Sequence, residues 1–402
     1  MKFFELLKIA IGRRMEFSQA PTEEEWRNLF QLAKKQAMVG IAFLGVEKLP
    51  KELRPPKAVL VSWYLQTQKI KEKNIELDKA TAAVAQMFRE EGFDNLILKG
   101  QGIAQLYQVR EAGTHIGAYR TPGDIDVWLE GDRKTIADYV RRHVPDGDIV
   151  YHHVDFPVLE NVPIEVHFTP SWMNSPVTNR RLQRFFRDEG ELSAGGNNRQ
   201  AALDGQMKCL SEVNRTDSLW AKEAHSHDKG LPTPTLAFNR VYILVHIYRH
   251  LFFEGIGLRQ LLDYYFVLQQ GFTEEERKET MRVLCSLKMK RFTEAVMWVL
   301  HEVYGLEQDY MLTAPNEVEG RFLLNEVLLA GNFGHYDERL KHTHGESVFH
   351  WGMRKVIRNF RFVRSYPSEV LWGPFFKGWQ WCWRKWVWNK RTRREELAVE
   401  RI

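Results

Sequence analysis

The sequence predicts an α/β fold, with a small mixed sheet flanked by N-terminal helices and followed by an all-helical C-terminal domain. Apolar residues recur at helical spacing before about residue 90 and after about residue 235. Between these limits, short apolar runs such as Leu96-Ile97-Leu98 alternate with helical stretches. A chain of 402 residues is too long for one ordinary core, so two or three domains are expected.

These patterns divide the chain into four parts. Residues 1–78 form an N-terminal helical segment, in which Thr22 opens one helix, and residues 79–186 form the core that contains the sheet. Residues 187–234 are rich in Gly, Asn, Ser and Pro, which indicates a loop, linker or lid. Residues 235–402 form a C-terminal helical domain that ends in a basic, aromatic helix.

The elements of the core are expected in a definite order. A helix from about Leu60 to Arg89 ends at Gly92, and a short buried strand follows. The next elements are a helix over 101–107, a strand over 125–129, a helix over 132–142 and two strands, over 149–159 and 162–168, that form a hairpin. Helices are then predicted over 237–270, 274–304 and 317–332.

Composition limits the class of protein. With 44% hydrophobic and 27% charged residues, the chain resembles soluble globular proteins, and a net charge of +5 is too small for wholesale coating of nucleic acid. The scattered cysteines Cys209, Cys285 and Cys382 match neither a disulfide framework nor a metal-ligand spacing. The N-terminus lacks the apolar core of a signal peptide, and no apolar run reaches the roughly 18 residues of a membrane span. We therefore expect a cytoplasmic location.

Three carboxylates carry the most chemical information. Side chains alternate along a strand, so Asp124 and Asp126 share one face while Ile125 points into a core. Glu165 lies in a second strand-like run and shares its face with His167. Three carboxylates brought together suit Mg²⁺, which prefers oxygen ligands, and two such ions can hold both oxygens of a phosphoryl displacement.

Together these motifs resemble the uncharacterised nucleotidyltransferase family of bacterial proteins, within the DNA polymerase β-like superfamily. The residues that carry the resemblance are Leu98-Lys99-Gly100, Tyr107, Arg120, Asp124-Ile125-Asp126, His153, Ile164-Glu165-Val166-His167, and a helical block from His246 through His250 and Arg259 to Asp263. The resemblance covers roughly residues 80–270.

The resemblance implies Mg²⁺-dependent transfer of a nucleoside monophosphate from an NTP, such as ATP, to a hydroxyl acceptor, with release of pyrophosphate. Asp124 and Asp126 would bind two Mg²⁺ ions, for which Mn²⁺ is an alternative. Glu165 would bind the catalytic ion and help to deprotonate the acceptor, which is a protein, an RNA or a small molecule. The alternative is a non-catalytic nucleotide-binding or membrane-surface protein that retains the fold.

Several cationic residues are candidates for nucleotide binding. The superfamily pattern has Gly-Ser where this chain has Lys99-Gly100; Gly100 permits close approach to a phosphate, and Lys99 would contact the β- and γ-phosphates. Arg120 would meet a phosphate or pair with a nearby carboxylate. His250 and Arg259 would lie near the nucleotide or make polar contacts between helices, with Arg259 expected to pair with Asp263.

The histidines leave two interpretations open. His153 and His167 would line the site, where His167 contacts the nucleotide base or both make ordinary polar contacts. With His152 they do not provide the fixed ligand spacing of a structural zinc site. His246 and His250 lie one helical turn apart, but Ile247 stands where a zinc protease needs Glu.

Residues 372–394 predict an amphipathic helix. The aromatic residues of one face are Trp372, Phe375, Phe376, Trp379, Trp383 and Trp386, and the basic residues Lys377, Arg384, Lys385 and Arg391 lie mostly opposite. Such a helix can lie on a membrane surface, which would make the protein membrane-peripheral, or bind single-stranded RNA or an acidic partner. The simpler alternative is that the aromatic face packs on the helical domain.

Overall fold

The computed structural model describes residues 1–109, 113–144, 149–159, 162–194, 231–339 and 347–383. The helices are α1 (Lys2–Ala10), α2 (Glu23–Lys35), α3 (Val39–Lys48), α4 (Lys57–Glu90), α5 (Gln101–Ala104), α6 (Arg133–His143), α7 (Pro176–Ala194), α8 (Leu236–Phe253), α9 (Leu258–Gln269), α10 (Glu274–Ser286), α11 (Lys290–Tyr304), α12 (Glu317–Ala330), α13 (Val348–Phe360) and α14 (Pro367–Cys382). The strands are β1 (Asn95–Ile97), β2 (Gln108–Val109), β3 (Thr114–His115), β4 (Ile125–Leu129), β5 (His153–Asp155) and β6 (Ile164–His167). The described chain is thus mostly helical around a small mixed sheet.

Helix α2 begins where the sequence predicts. The Thr22 hydroxyl accepts a hydrogen bond from the Glu25 backbone N–H at 3.3 Å, and the Glu25 carboxylate accepts one from the Thr22 N–H at 2.8 Å. This reciprocal pair satisfies two donors that a helix start otherwise leaves unpaired. The buried face of α2 then packs on α4, where Phe30 stacks on Trp63 with ring centroids 4.9 Å apart.

The main sheet has the strand order β1-β4-β6-β5. Strands β4 and β6 are parallel, whereas β1 and β5 pair antiparallel with their neighbours at the two edges. One face is apolar: Val127 and Val166 contact Phe88 of α4 and Val140 of α6 in a small core beneath the sheet. The opposite face carries the acidic residues, as the alternation along the strands predicts.

The predicted hairpin of the last two strands is present as β5 and β6. Its tip, residues 160–161, lies outside the described residues.

Helix α5 covers one turn only, because the chain turns at Leu106 and enters β2. The sequence analysis missed the pairing of β2 with β3. Helix α7 continues to Ala194, so the first part of the predicted loop 187–234 is helical; residues 195–230 are outside the described part.

The predicted C-terminal helices are present but broken. The segment 237–270 forms α8 and α9, separated at Gly255, whose φ of 130° favours glycine. A side chain there would come within 3.0 Å of the Gly334 backbone. The segment 274–304 likewise forms α10 and α11, with Lys288 in a left-handed conformation (φ 61°) between them. The third segment is α12, which ends at Ala330.

A single large hydrophobic core joins both ends of the described chain. It runs from α1 and α3 through α8 and α9 to α11 and α12, and reaches Tyr366. Helix α14 is anchored by buried Glu369, whose carboxylate accepts hydrogen bonds from the Asn174 N–H at 2.7 Å and the Ser175 N–H at 3.4 Å, just before α7. None of the helices in the described residues combines the length and apolarity that a bilayer crossing requires.

Candidate active site

The carboxylates lie side by side on the polar face of the sheet. Asp126 in β4 is the direct neighbour of Glu165 in the parallel strand β6, so both side chains point the same way. Asp124 stands just before β4, two residues from Asp126. Asp126 is fully buried, whereas Asp124 and Glu165 keep 31% and 26% of their side-chain surface exposed. The group is therefore accessible from one side only.

Lys99 lies between the first two carboxylates. It follows β1, and the end of this strand is fixed by a hydrogen bond that the Leu98 N–H donates to the Asp126 carbonyl at 3.0 Å. Its Nζ is 3.1 Å from Asp126 Oδ1 and 3.6 Å from Asp124 Oδ2. Burial acts to lower the pKa of Lys99, but the charges of Asp124, Asp126 and Glu165 outweigh it, so this pKa is raised. The ammonium group shows that a cation is stabilised between these carboxylates.

The three carboxylates differ in proton affinity. The charge of Lys99 lowers the pKa of Asp124. Burial, followed by the charge of Asp124, raises the pKa of Asp126. Burial also acts to raise the pKa of Glu165, but the hydrogen bond from His167 and the charge of Lys99 outweigh it, so that this pKa is lowered. Asp124 and Glu165 are therefore ionised at neutral pH.

The residues present fit a divalent cation. Asp126, Glu165 and His167 each offer a ligand atom, and these atoms lie within 4.8 Å of one another. Asp126 Oδ2 is buried and has no hydrogen-bond partner within the described ranges, so its lone pairs are available. Carboxylate oxygens are the ligands that Mg²⁺ and Mn²⁺ prefer.

Histidines surround Glu165. His167 Nε2 lies 2.8 Å from Asp126 Oδ1 and 3.4 Å from Glu165 Oε2, and His153 Nδ1 lies 3.0 Å from Glu165 Oε2. His152 Nε2 contacts His153 Nδ1 at 2.9 Å. Burial lowers the pKa of His153 to about 3 and that of His152 well below its ordinary value, so both rings are neutral. His167 and His153 thus make polar contacts in the site, as one of the two interpretations predicts.

Arg120 has the carboxylate partner that was one of its two predicted roles. Its Nε and Nη2 donate to the two oxygens of Asp263 at 2.7 and 2.8 Å, and all of these groups are buried. The Tyr107 hydroxyl donates to the same carboxylate at 2.6 Å. The predicted pairing of Asp263 with Arg259 is therefore wrong, because Asp263 accepts the bidentate fork of Arg120 instead. A phosphate contact of Arg120 stays a prediction.

Arg259 and His250 both make polar contacts, but with the loop before β4 and within the end of α8, not between helices as one prediction had it. Their contact with a nucleotide stays a prediction. Arg259 Nη1 donates to the carbonyls of Thr121 and Pro122 at 3.0 and 3.2 Å. His250 Nδ1 lies 2.9 Å from Glu254 Oε2. Arg259 nevertheless lies against the site entrance, since a side chain on Gly123 would be 3.3 Å from its Nη1.

A narrow cavity of about 20 Å³ opens beside Lys99 and Asp124. Its lining residues are Lys99, Gly100, Arg120, Gly123, Asp124, Ile243, His246, Ile247, Arg259, Gln260, Asp263 and Phe333. The structure thus brings Lys99, Gly100, Arg120 and Arg259 to the cavity, whereas His246 rather than His250 reaches it. A cavity of this size holds a water molecule or an ion and is smaller than a nucleotide.

The sequence analysis missed Tyr242 and Arg249 on one face of α8 and named His246, on the same face, without placing it in the site. Tyr242, His246 and Arg249 follow an i, i+4, i+7 spacing and lie toward the carboxylates. Arg249 Nη1 is 3.3 Å from His152 Nε2, and its guanidinium lies 4.0 Å from the centre of the Trp172 ring. That helical spacing of polar residues on a buried helix was the available signal.

The chain was compared with known proteins. A family described as "Uncharacterised nucleotidyltransferase" matches residues 22–305, which is more than half of the chain. No curated protein and no solved structure matches it. The match includes the sheet and helices α8 and α9, and thus every candidate residue described above.

Proposed function

This chain belongs to the uncharacterised nucleotidyltransferase family, and on that premise we propose that it transfers a nucleoside monophosphate from an NTP to a hydroxyl acceptor. One observation carries the proposal. Asp126 and Glu165 are neighbours on one face of the sheet, and the Lys99 ammonium lies 3.1 Å from Asp126 and 3.6 Å from Asp124 and also interacts with Glu165. A cation is thus already stabilised among these three carboxylates. Removing an ionised carboxylate from water lowers the stability of the folded protein. A protein without transfer activity could therefore replace these carboxylates with no loss of function.

The proposed reaction assigns a role to each carboxylate. The acceptor oxygen forms a bond to the α-phosphorus, the bond between that phosphorus and the bridging oxygen breaks, and pyrophosphate leaves. Ionised Glu165 accepts the acceptor's proton. Asp124, Asp126 and Glu165 would hold Mg²⁺ or Mn²⁺, which supplies neutralisation of the charge that develops on the phosphoryl oxygens. The cavity is smaller than a nucleotide, so side chains that line it would have to move before a nucleotide enters.

Lys99 is proposed to contact the β- and γ-phosphates once divalent ions compensate the charge of the carboxylates. We expect Lys99→Met to weaken NTP binding at least tenfold, since one charge-assisted contact of about 1.5–3 kcal/mol is lost. Equilibrium binding of a non-hydrolysable NTP in the presence of Mg²⁺ measures this. Lys79→Met, at an exposed position on α4, is the matched control. Equal affinities of the Lys99 variant and the unmodified protein would contradict the role.

The acceptor class can be identified directly. Each of the four NTPs, labelled at the α-phosphate, is incubated with the protein, Mg²⁺ and a bacterial lysate. Label is then measured in the protein, RNA and small-molecule fractions, with the Asp124→Asn/Asp126→Asn variant as control. Label that enters one fraction and is lost with the variant supports transfer and names the acceptor class. Label in no fraction would favour the non-catalytic alternative.

A membrane-surface role is the second candidate, and exposed aromatic residues of α14 favour it. Trp372, Phe375 and Trp381 expose 43%, 70% and 57% of their surface. Phe376, by contrast, is buried against the Tyr151 ring, at 5.7 Å between centroids. Lys377 lies over the Phe253 ring at 5.1 Å, so it differs from the free basic face predicted for it. Trp386, Arg384, Lys385 and Arg391 lie outside the described residues.

We expect the protein to co-sediment with vesicles that contain anionic phospholipid, because aromatic side chains insert at the interface and nearby basic residues attract the lipid. Phe375→Ser/Trp381→Ser should reduce the sedimented fraction at least threefold. Val318→Ser on α12, where the valine is 78% exposed, controls for the loss of an exposed apolar side chain elsewhere. Equal sedimentation of the double variant and the unmodified protein would remove the membrane from consideration and leave RNA or an acidic partner.

A further inference from the structure

Three imidazoles converge at the edge of the sheet next to the carboxylates. His152 comes just before β5, His153 is the first residue of β5, and His167 ends β6, where it is the direct neighbour of His153. Each offers a ring nitrogen, and these three nitrogens lie within 4.8 Å of one another. His152 and His167 are only 5% and 3% exposed. Imidazole nitrogen is the commonest protein ligand of metal ions, so three such nitrogens in one cluster are candidates for a metal site.

The cluster has more acceptors than protons. His153 Nδ1 lies 2.9 Å from His152 Nε2 and 3.0 Å from Glu165 Oε2, but a neutral ring carries at most one proton on that nitrogen. It can donate to one of these neighbours, and its contact with the other then lacks a proton. A bound cation would satisfy lone pairs that protons cannot.

The spacing of the donor atoms fits a transition metal ion. Two ligands, each about 2.0–2.1 Å from a tetrahedral zinc ion, lie about 3.3 Å apart. His152 Nε2 and His153 Nδ1 are separated by 2.9 Å, and the three imidazoles each place a nitrogen within 4.8 Å of the others. Glu165 Oε2 lies beside this cluster, 3.0 Å from His153 Nδ1 and 3.4 Å from His167 Nε2. His153 Nε2 also lies 3.7 Å from Asp155 Oδ1, on the side where a carboxylate commonly orients a metal-bound imidazole.

We infer that His152, His153 and His167 form a second metal site that binds Zn²⁺ beside the proposed Mg²⁺ site. Imidazole nitrogen is a good ligand for Zn²⁺, whereas Mg²⁺ prefers oxygen, so the two sites would take different ions. An ion there would fix the Glu165 carboxylate next to Asp126. The inference does not depend on nucleotidyl transfer, because it follows from the donor set alone.

One neighbouring cation bears on this site. Arg249 Nη1 lies 3.3 Å from His152 Nε2 and would have to release that nitrogen to the ion. Arg249 keeps two other contacts, with His250 Nε2 at 3.2 Å and with the Trp172 ring. The ionised Glu165 and the neighbouring Asp126 compensate the added positive charge.

Zinc binding to the full chain tests the inference. The protein is freed of metal with a chelator, and Zn²⁺ is titrated against a chromophoric competing chelator in the presence of millimolar Mg²⁺. We expect one Zn²⁺ per chain, and a loss of affinity of about a hundredfold or more in His153→Gln. His301→Gln, at a histidine on α11 outside this cluster, should bind as the unmodified protein does.

Two further measurements keep the test decisive. Asp124→Asn should retain the zinc affinity within about threefold, because the three imidazoles remain and Asp126, which contacts His167 at 2.8 Å, is unchanged. Co²⁺ in place of Zn²⁺ should give the visible absorption of a tetrahedral site with nitrogen ligands, which needs no variant to fold. Absence of Zn²⁺ binding to the unmodified protein, or unchanged affinity in a folded His153→Gln, would overturn the inference.

Discussion

Replacement of both Asp124 and Asp126 by Asn is expected to abolish nucleotidyl transfer and to leave the protein folded. The amides keep the size of the carboxylates but not their charge, so the divalent cations that the site is proposed to use are no longer held. We expect a loss of at least ~4 kcal/mol of transition-state stabilisation, or about a thousandfold in rate. Lys99 keeps a counter-charge in Glu165, which also interacts with it. Buried Lys99 therefore still has an anionic neighbour in the double variant.

The rate of label transfer from an α-labelled NTP, measured with the acceptor fraction identified above, provides the test. Thermal unfolding of the variant verifies that the fold is retained. Asp94→Asn, at an exposed position just before β1, is the matched control and should transfer at the normal rate. Normal turnover in the folded double variant would show that these carboxylates are not the active site.

The second large effect concerns stability. Arg120→Met should lower the free energy of unfolding by about 3–5 kcal/mol, because it leaves the Asp263 carboxylate buried without its cation. The two oxygens of Asp263 accept from Arg120 at 2.7 and 2.8 Å, and this pair joins α9 to the segment before β4. Loss of the Arg120–Asp263 pair would loosen the segment that leads to Asp124 as well as the packing of α9.

Urea unfolding at neutral pH compares this variant with Tyr107→Phe, which removes only the third hydrogen bond to Asp263. The hydroxyl donates at 2.6 Å, and its loss should cost about 1 kcal/mol. The comparison also separates the two predicted roles of Arg120. Unchanged stability together with weaker NTP binding would mean that Arg120 serves a phosphate and that the Asp263 pair contributes little.

Elements that depend on local periodicity were predictable from the sequence. The start of α2 at Thr22, the long helix α4 and the strand β4 were each predicted, because caps and apolar spacing act within a few residues. The family resemblance, carried by residues 98–100, 124–126 and 164–167, is confirmed by the match over residues 22–305.

Breaks and additions to these elements depend on distant neighbours. The end of α8 needs the positive φ of Gly255, which lies against the backbone of Gly334. The pairing of β2 with β3 likewise involves only two residues on each strand, too few to produce a periodic pattern. A prediction from apolar spacing alone therefore extends the helices through positions where the chain turns.

In the candidate site, the sequence by itself determined which carboxylates share a face, since alternation along a strand is a property of the backbone. Only the tertiary structure decided their partners. Lys99 lies between Asp124 and Asp126, Arg120 pairs with Asp263, and His153 and His167 contact Glu165. Pairing of β1 with β4 and of β5 with β6 sets the Lys99 and histidine contacts, and α9 brings Asp263 to Arg120. Local periodicity does not encode which segments pair.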